Sequence, residues 1–166
     1  MGRKTAAPGP RYEATLKLLE ASEALWNARR IFLEQWNLSP SQFNVLNLLF
    51  GRKDGCTQAE LSRRLIMHRS NVTGLVDRLE ARGLVHRRDS QTDRRAFNVA
   101  IAAQGATLMR QIYPRYYKAA EAIWGNKPVA YVRRLATDVG LVSLTAGRVA
   151  AAAASSSIHR PHKAKA

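Results

Sequence analysis

Along most of this chain apolar side chains recur three and four positions apart, the spacing of an amphipathic helix, and at one place the period drops to two. The first helical pattern covers about Tyr12–Trp36, with Leu18, Leu25, Phe32 and Leu33 near heptad spacing and Leu19, Trp26 and Trp36 beside them. A second opens at Ser39-Pro40, a cap residue followed by proline at the first helical position. Phe43, Leu46 and Phe50, flanked by Val45 and Leu49, give it a face to bury, and it ends near Gly51 before the Asp54-Gly55 turn signal. A third starts at Thr57-Gln58-Ala59-Glu60, a capping box in which the Thr57 hydroxyl accepts from the Glu60 amide and the Glu60 side chain reaches back. Its core positions are Leu61 and Leu65, and Ile66 to His68 is short enough for a tight turn. The fourth covers about Arg69–Arg82, with Val72, Leu75, Val76 and Leu79 on one stripe and Gly83 as its stop.

The period then changes. Phe97, Val99 and Ile101 alternate as inward positions of a strand, and Leu84–Arg88 is the antiparallel partner, with the polar tip Asp89–Asp93 between them. Helical spacing returns after Gly105 with Leu108, Met109, Ile112, Tyr116, Ala119, Ala120 and Ile123, and Pro114 is positioned to kink that helix. Gly125-Asn126-Lys127-Pro128 breaks it, and a sixth helix runs from about Val129 to Val149. Residues 1–10 and 150–166 are low in complexity and read as a flexible arm and a disordered basic tail. The fold class is therefore mainly α with a small β wing: two short helices in a tight turn followed by an arginine-rich hairpin describe a winged helix-turn-helix.

Composition sharpens this. The chain has 166 residues and a net charge of +15, from 27 Lys+Arg against 12 Asp+Glu. Such an excess points to a polyanionic partner and away from a neutral metabolic enzyme. Residues 52–100 carry the densest basic side chains, and residues 101–166 the largest excess. A single cysteine excludes an internal disulfide framework. No apolar run reads as approaching the roughly 18 residues needed to span a bilayer, and no apolar segment follows the basic N-terminus. The expectation is a protein of the reduced cytoplasm with no membrane partner. No spacing suggests a nucleophile–base set, a phosphate loop or a dinucleotide turn, so no enzyme, catalytic residue, cofactor or metal site is expected.

The buried stripe of the fourth helix leaves Arg69, Ser70, Asn71 and Thr73 in its exposed first turn, where a recognition helix enters the major groove. Arginine matches guanine O6/N7 and asparagine matches adenine N6/N7, while Ser70 and Thr73 reach phosphates or bases. A plain solvated face is the alternative. The hairpin adds Arg87, Arg88, Arg94 and Arg95, and guanidinium groups on a thin loop suit the negative minor groove. Either Arg94 or Arg95 enters that groove; the other is structural, with Asp93 or Asp77 as its partner. Asp93 itself reads as turn and ion-pair chemistry rather than a metal ligand. Arg78 is a salt-bridge strut or a phosphate contact, and Cys56 a small packed residue.

The stretches LSPSQFNVLNLL (38–49), TQAELSRRL (57–65), SNVTGLVDRLEARGLVHRR (70–88) and DRRAFNVAIAAQG (93–105) resemble the MarR (multiple antibiotic resistance regulator) family of transcription factors. Asp93 and Arg95 match its D-x-R wing motif; Ile101-Ala102 replaces the usual Leu-Thr, and His68 stands where Ser or Thr is common. The resemblance implies a homodimer on a palindromic double-stranded DNA operator, often a repressor, released by a small aromatic or phenolic compound. It divides the chain into an arm (1–10), an N-terminal dimerisation helix (11–37), the DNA-binding domain (38–102), C-terminal dimerisation helices (103–149) and the tail (150–166). Leu135, Val139, Val142 and Leu144 are candidate dimer contacts. Trp26, Arg29, Phe32, Trp36, Phe43 and Tyr113 lie on elements that frame the effector cavity in relatives, with core packing as the alternative. Oxidant sensing through a first-helix cysteine is excluded, since that helix has none. The competing class is a winged-helix nucleic-acid coating or protein-interaction module without an effector.

Overall fold

The computed structural model describes residues 9–65, 67–89 and 97–158, and the side chains of Arg69, Asp89 and residues 156–158 fall outside that description. Its elements run α1 (Pro10–Glu34), α2 (Pro40–Leu49), β1 (Cys56–Thr57), α3 (Gln58–Leu65), α4 (Arg69–Ala81), β2 (Val85–Asp89), β3 (Phe97–Ile101), α5 (Ala103–Trp124) and α6 (Val129–Ile158). The architecture is a mainly helical winged helix-turn-helix with one small antiparallel sheet. Two compact units divide between Tyr113 and Pro114, a proline inside α5 that removes one amide donor from the helix ladder.

In the first unit, local chemistry sets the boundaries. Pro10 occupies the first turn of α1, and Asn37 at φ 52° turns the chain out of it, a left-handed conformation that asparagine tolerates. Ser39 and Gln42 form a reciprocal capping box at α2: the Gln42 amide donates to Ser39 Oγ at 3.2 Å, and the Ser39 amide to Gln42 Oε1 at 2.9 Å. The core gathers Leu33 from α1, Phe43, Val45, Leu46 and Leu49 from α2, Leu61 from α3, Val72, Val76 and Leu79 from α4, and Met109 and Ile112 from α5. Each of these is at least 99% buried, so the apolar stripes converge on one interior.

The sheet order is β1-β3-β2. Val99 faces Cys56 on one side and Arg87 on the other. The two-residue β1 is too short to leave a period-two signature, and the sequence pattern misses it. Val99 is fully buried as expected, but Phe97, expected to point inward with it, is 55% exposed. Gly83 at φ 65° ends α4. Gly105 packs against the chain at the wing's base, where an added Cβ would stand 2.1 Å from the Leu84 carbonyl oxygen.

In the second unit, α6 continues to Ile158, past the expected stop at Val149. This corrects the reading of 150–166 as wholly disordered: Ala150–Ala154 is a run of the best helix former with no breaker before it. The expectation that no segment approaches spanning length is also corrected. Val129–Ser155 is long and apolar enough by length and composition alone, at a mean hydropathy of 1.2. Small residues raise that average, while Arg133, Arg134, Asp138 and Arg148 interrupt it. Val139, Leu141, Val142 and Leu144 are exposed on this helix, as Leu18, Leu19, Leu25 and Trp26 are on α1 in the first unit.

Candidate nucleic-acid interface

The helix-turn-helix is held by short-range bonds around its turn. Ser62 Oγ donates to the Met67 carbonyl at 2.5 Å, and the Met67 amide to the Ser62 carbonyl at 3.1 Å. His68 is the N-cap of α4: its Nδ1 accepts from the Ser70 amide at 3.4 Å and lies 2.8 Å from Ser70 Oγ. An imidazole thus takes the capping role that a hydroxyl often fills. Burial of Val72, Leu75, Val76 and Leu79 fixes the roll of the helix, which leaves Ser70, Asn71 and Arg78 exposed.

The predicted contact residues fall into four groups. Ser70 and Asn71 stand exposed in the first turn of α4, and Arg69 is its first residue. Thr73 is half-buried, and its hydroxyl donates to Gln58 Oε1 of α3 at 3.2 Å. That bond ties the two helices of the motif together, and Gln58 carried no sequence signal for it beyond its place in the first turn. Arg88 is exposed on β2, its Nε bonded to His86 Nε2 two residues back. Asp93, Arg94 and Arg95 lie outside the described residues.

Arg87 has a different job from the other hairpin arginines. Its guanidinium pairs with Asp77 and Glu80 of α4, and its amide donates to Glu80 Oε1 at 2.9 Å. The bond from Asp77 holds the guanidinium above its ordinary pKa, partial burial opposes this, and Glu80 adds to it. Asp77 is therefore paired with Arg87. At the other end of α4, Arg82 donates to the Asn37 carbonyl at 2.6 Å and the Trp36 carbonyl at 3.2 Å, bracing the helix against the α1–α2 turn.

A second ionic cluster supports the base of the wing. Thr57 Oγ1 accepts from the Glu60 amide at 3.1 Å, as the capping pattern requires. The Glu60 carboxylate does not reach back; it accepts from Arg52 at 3.0 Å and Arg64 at 2.9 Å, because two cations outcompete one amide. Burial pushes the Glu60 carboxyl up, but those two guanidinium bonds and their charges outweigh it and leave its pKa lowered. Cys56 is buried, with Arg52 donating to its Sγ at 3.1 Å, and loss of hydration raises its pKa above that of an ordinary thiol.

The six candidate effector residues have different surroundings. Arg29 donates to Asn44 Oδ1 at 2.5 Å and lies 5.1 Å from the centre of the Phe43 ring. Phe43 is buried and meets Tyr113 edge-on at 6.5 Å, while the Tyr113 hydroxyl donates to Asn47 at 2.8 Å. Phe32 and Trp36 pack together at 5.2 Å, and Trp26 is exposed. Trp36 borders an open cavity of about 430 Å³, which it shares with Arg82, Leu84, Gln104 and Gln111.

Comparison with known proteins agrees with this arrangement. Residues 36–96, from the end of the first helical segment to just before β3, match the model of the MarR family. The HTH-type transcriptional repressor YetL of Bacillus subtilis is 28% identical over 115 residues, 69% of each chain. The HTH-type transcriptional regulator PrsX of Escherichia coli is 32% identical over 95 residues, 57% of each chain. CouR of Rhodococcus jostii, solved bound to p-coumaroyl-CoA, shares the fold at a TM-score of 0.71 and 24% identity over 78% of this chain and 90% of its own. A helix-turn-helix braced to its wing through Arg87 is thus similar, over residues 36–96, to the MarR family of winged-helix transcriptional regulators.

Proposed function

We propose that the chain acts as a homodimeric repressor that binds a palindromic double-stranded DNA operator and releases it when a small aromatic or phenolic effector binds. The observation that carries this reading is the division of α4. Its apolar stripe is buried and Ser70, Asn71 and Arg78 stand in solvent on the other side. A helix held this way offers hydrogen-bonding side chains to a major groove, with Arg88 and either Arg94 or Arg95 of the wing for the flanking minor groove. Acting on DNA, the protein works in the cytoplasm and needs neither cofactor nor metal.

What each unit leaves uncovered supports dimerisation. The apolar side chains exposed on α1 and on α6 are costly in water, and a second copy would cover them. Arg133, Arg134, Asp138 and Arg148 along α6 favour a protein partner over lipid for that surface. Two-fold symmetry then sets half-sites about one helical turn, roughly 10 bp, apart. The effector reading draws on the aromatic residues around Arg29 and Trp36 and on the relative solved with p-coumaroyl-CoA.

Selection of bound duplexes from a random pool, repeated with a panel of aromatic acids, tests the reading. A discrete inverted repeat, with affinity lowered by at least one acid, is the expected result. Binding without sequence preference would assign the chain to the nucleic-acid coating class instead. Arg94→Ala or Arg95→Ala should weaken operator binding by about 1–3 kcal/mol for whichever reaches the groove. Unchanged affinity in both would remove the wing from the interface.

A further inference from the structure

We propose that the groove between the start of α2 and the outward stripe of α4 seats a backbone phosphate of duplex DNA, with Arg78 as its cation. The inference rests on the duplex binding proposed above and adds a contact that fixes how the recognition helix is placed. The groove has a volume of about 410 Å³ and is walled by Ser39 and Ser41 on one side and by Ser70, Asn71, Gly74 and Arg78 on the other. Its lining contains no carboxylate, so its polar groups are hydroxyls, an amide and one guanidinium. A site rich in donors and free of acids suits an anion.

The charge of Arg78 is available because its neighbours are spent on one another. The two acids of the second half of α4, Asp77 and Glu80, both pair with Arg87. Arg82 is committed to the carbonyls of Trp36 and Asn37. Among the described residues no carboxylate lies within ion-pair distance of Arg78, which is exposed. Gly74, one turn earlier, lets the guanidinium fold back: Nη1 lies 3.5 Å from the point where a Cβ at Gly74 would stand. The cation therefore rests along the groove.

The geometry selects a phosphodiester over a free anion. The same groove carries Ser70 and Asn71, so its occupant sits directly beside whatever the first turn of α4 reads. A helix laid in a major groove has the sugar–phosphate strands along its flanks, and contacts to them position the protein without reading sequence. Arg78 would hold the strand while Ser70 and Asn71 face the base edges.

The test compares the full chain with Arg78→Gln on its selected operator and on an unrelated duplex across a salt series. Both affinities should fall by the same factor, roughly tenfold. The log–log salt slope should become shallower by about 0.9 for each protomer bound. A neutral methylphosphonate placed at one backbone position per half-site should weaken the wild type and add nothing to Arg78→Gln. Ser41→Ala should reproduce part of the loss, with melting temperature unchanged in both variants. An unaltered slope, or a loss confined to the operator, would overturn the phosphate seat while leaving duplex binding intact. A wild type that binds neither duplex would overturn the function it rests on.

Discussion

The guanidinium of Arg87 closes on the carboxylate of Asp77, joining the first long strand of the wing to the exposed side of the recognition helix. Glu80, one turn further along α4, completes the clamp. The wing is thereby oriented by the same helix that is proposed to face the major groove. Removing the cation leaves two carboxylates without their partner beside the proposed DNA-facing surface. Arg87→Gln should lower stability by about 1 kcal/mol, near the upper end for partly exposed pairs, and should weaken DNA binding as well. Thermal melting and titration with a duplex check the two effects separately, and Asp77→Asn should restore part of the affinity in the double variant.

Gly105 has no room for a side chain. A Cβ there would stand 2.1 Å from the Leu84 carbonyl oxygen and 3.0 Å from Ile101 Cγ1. The contact is with backbone at the joint between the wing and α5, so it cannot be relieved by a rotamer change. Gly105→Ala should destabilise the protein by about 1–3 kcal/mol despite adding a better helix former. Denaturant unfolding measures the loss; a stability gain would mean that the joint yields more easily than its packing implies.

Acid should loosen the base of the wing before the helical core. The Glu60 carboxyl has a lowered pKa in the folded chain: burial works against ionisation, and bonds from Arg52 and Arg64 prevail. A group whose pKa is depressed on folding contributes stability above its unfolded value, and that contribution is lost as pH falls through the folded one. The expected signature is a fall in stability below the ordinary carboxylate range, smaller in Glu60→Gln. Melting temperatures of both proteins between neutral and acid pH give the comparison.

Cys56 should behave as a structural thiol. It is 2% exposed and its pKa is raised, chiefly by burial, so little thiolate forms at neutral pH and reagents have little access. Iodoacetamide should label the folded chain slowly and the denatured chain at the rate of a free cysteine. Rapid labelling of the native protein would show that β1 opens readily.

Periodicity and punctuation were enough for the parts of this fold governed by neighbours in sequence. The stripe Val72, Leu75, Val76 and Leu79 is buried as its spacing implies, Ser39 caps α2, and Gly83 ends α4, because each depends on residues within a turn or two. The exposure of Ser70 and Asn71 follows from that stripe by elimination. The length of α6 is not legible in the same way, because alanine propensity and low complexity give opposite signals over the same residues.

Only tertiary structure decided how the polar groups share partners. Arg78, Arg82 and Arg87 look alike along the chain, yet one has no acid partner among the described residues, one holds two carbonyls and one binds two acids. Their fates depend on which strand returns past α4 and where the α1–α2 turn ends, distances of 10 residues and 45 in sequence. The same holds for Thr73 with Gln58 and Glu60 with Arg52. Burial of an apolar face is set by short-range order, because any apolar neighbour will serve. Ion pairs and hydrogen bonds are directional and exclusive, so their partners exist only once the chain has folded.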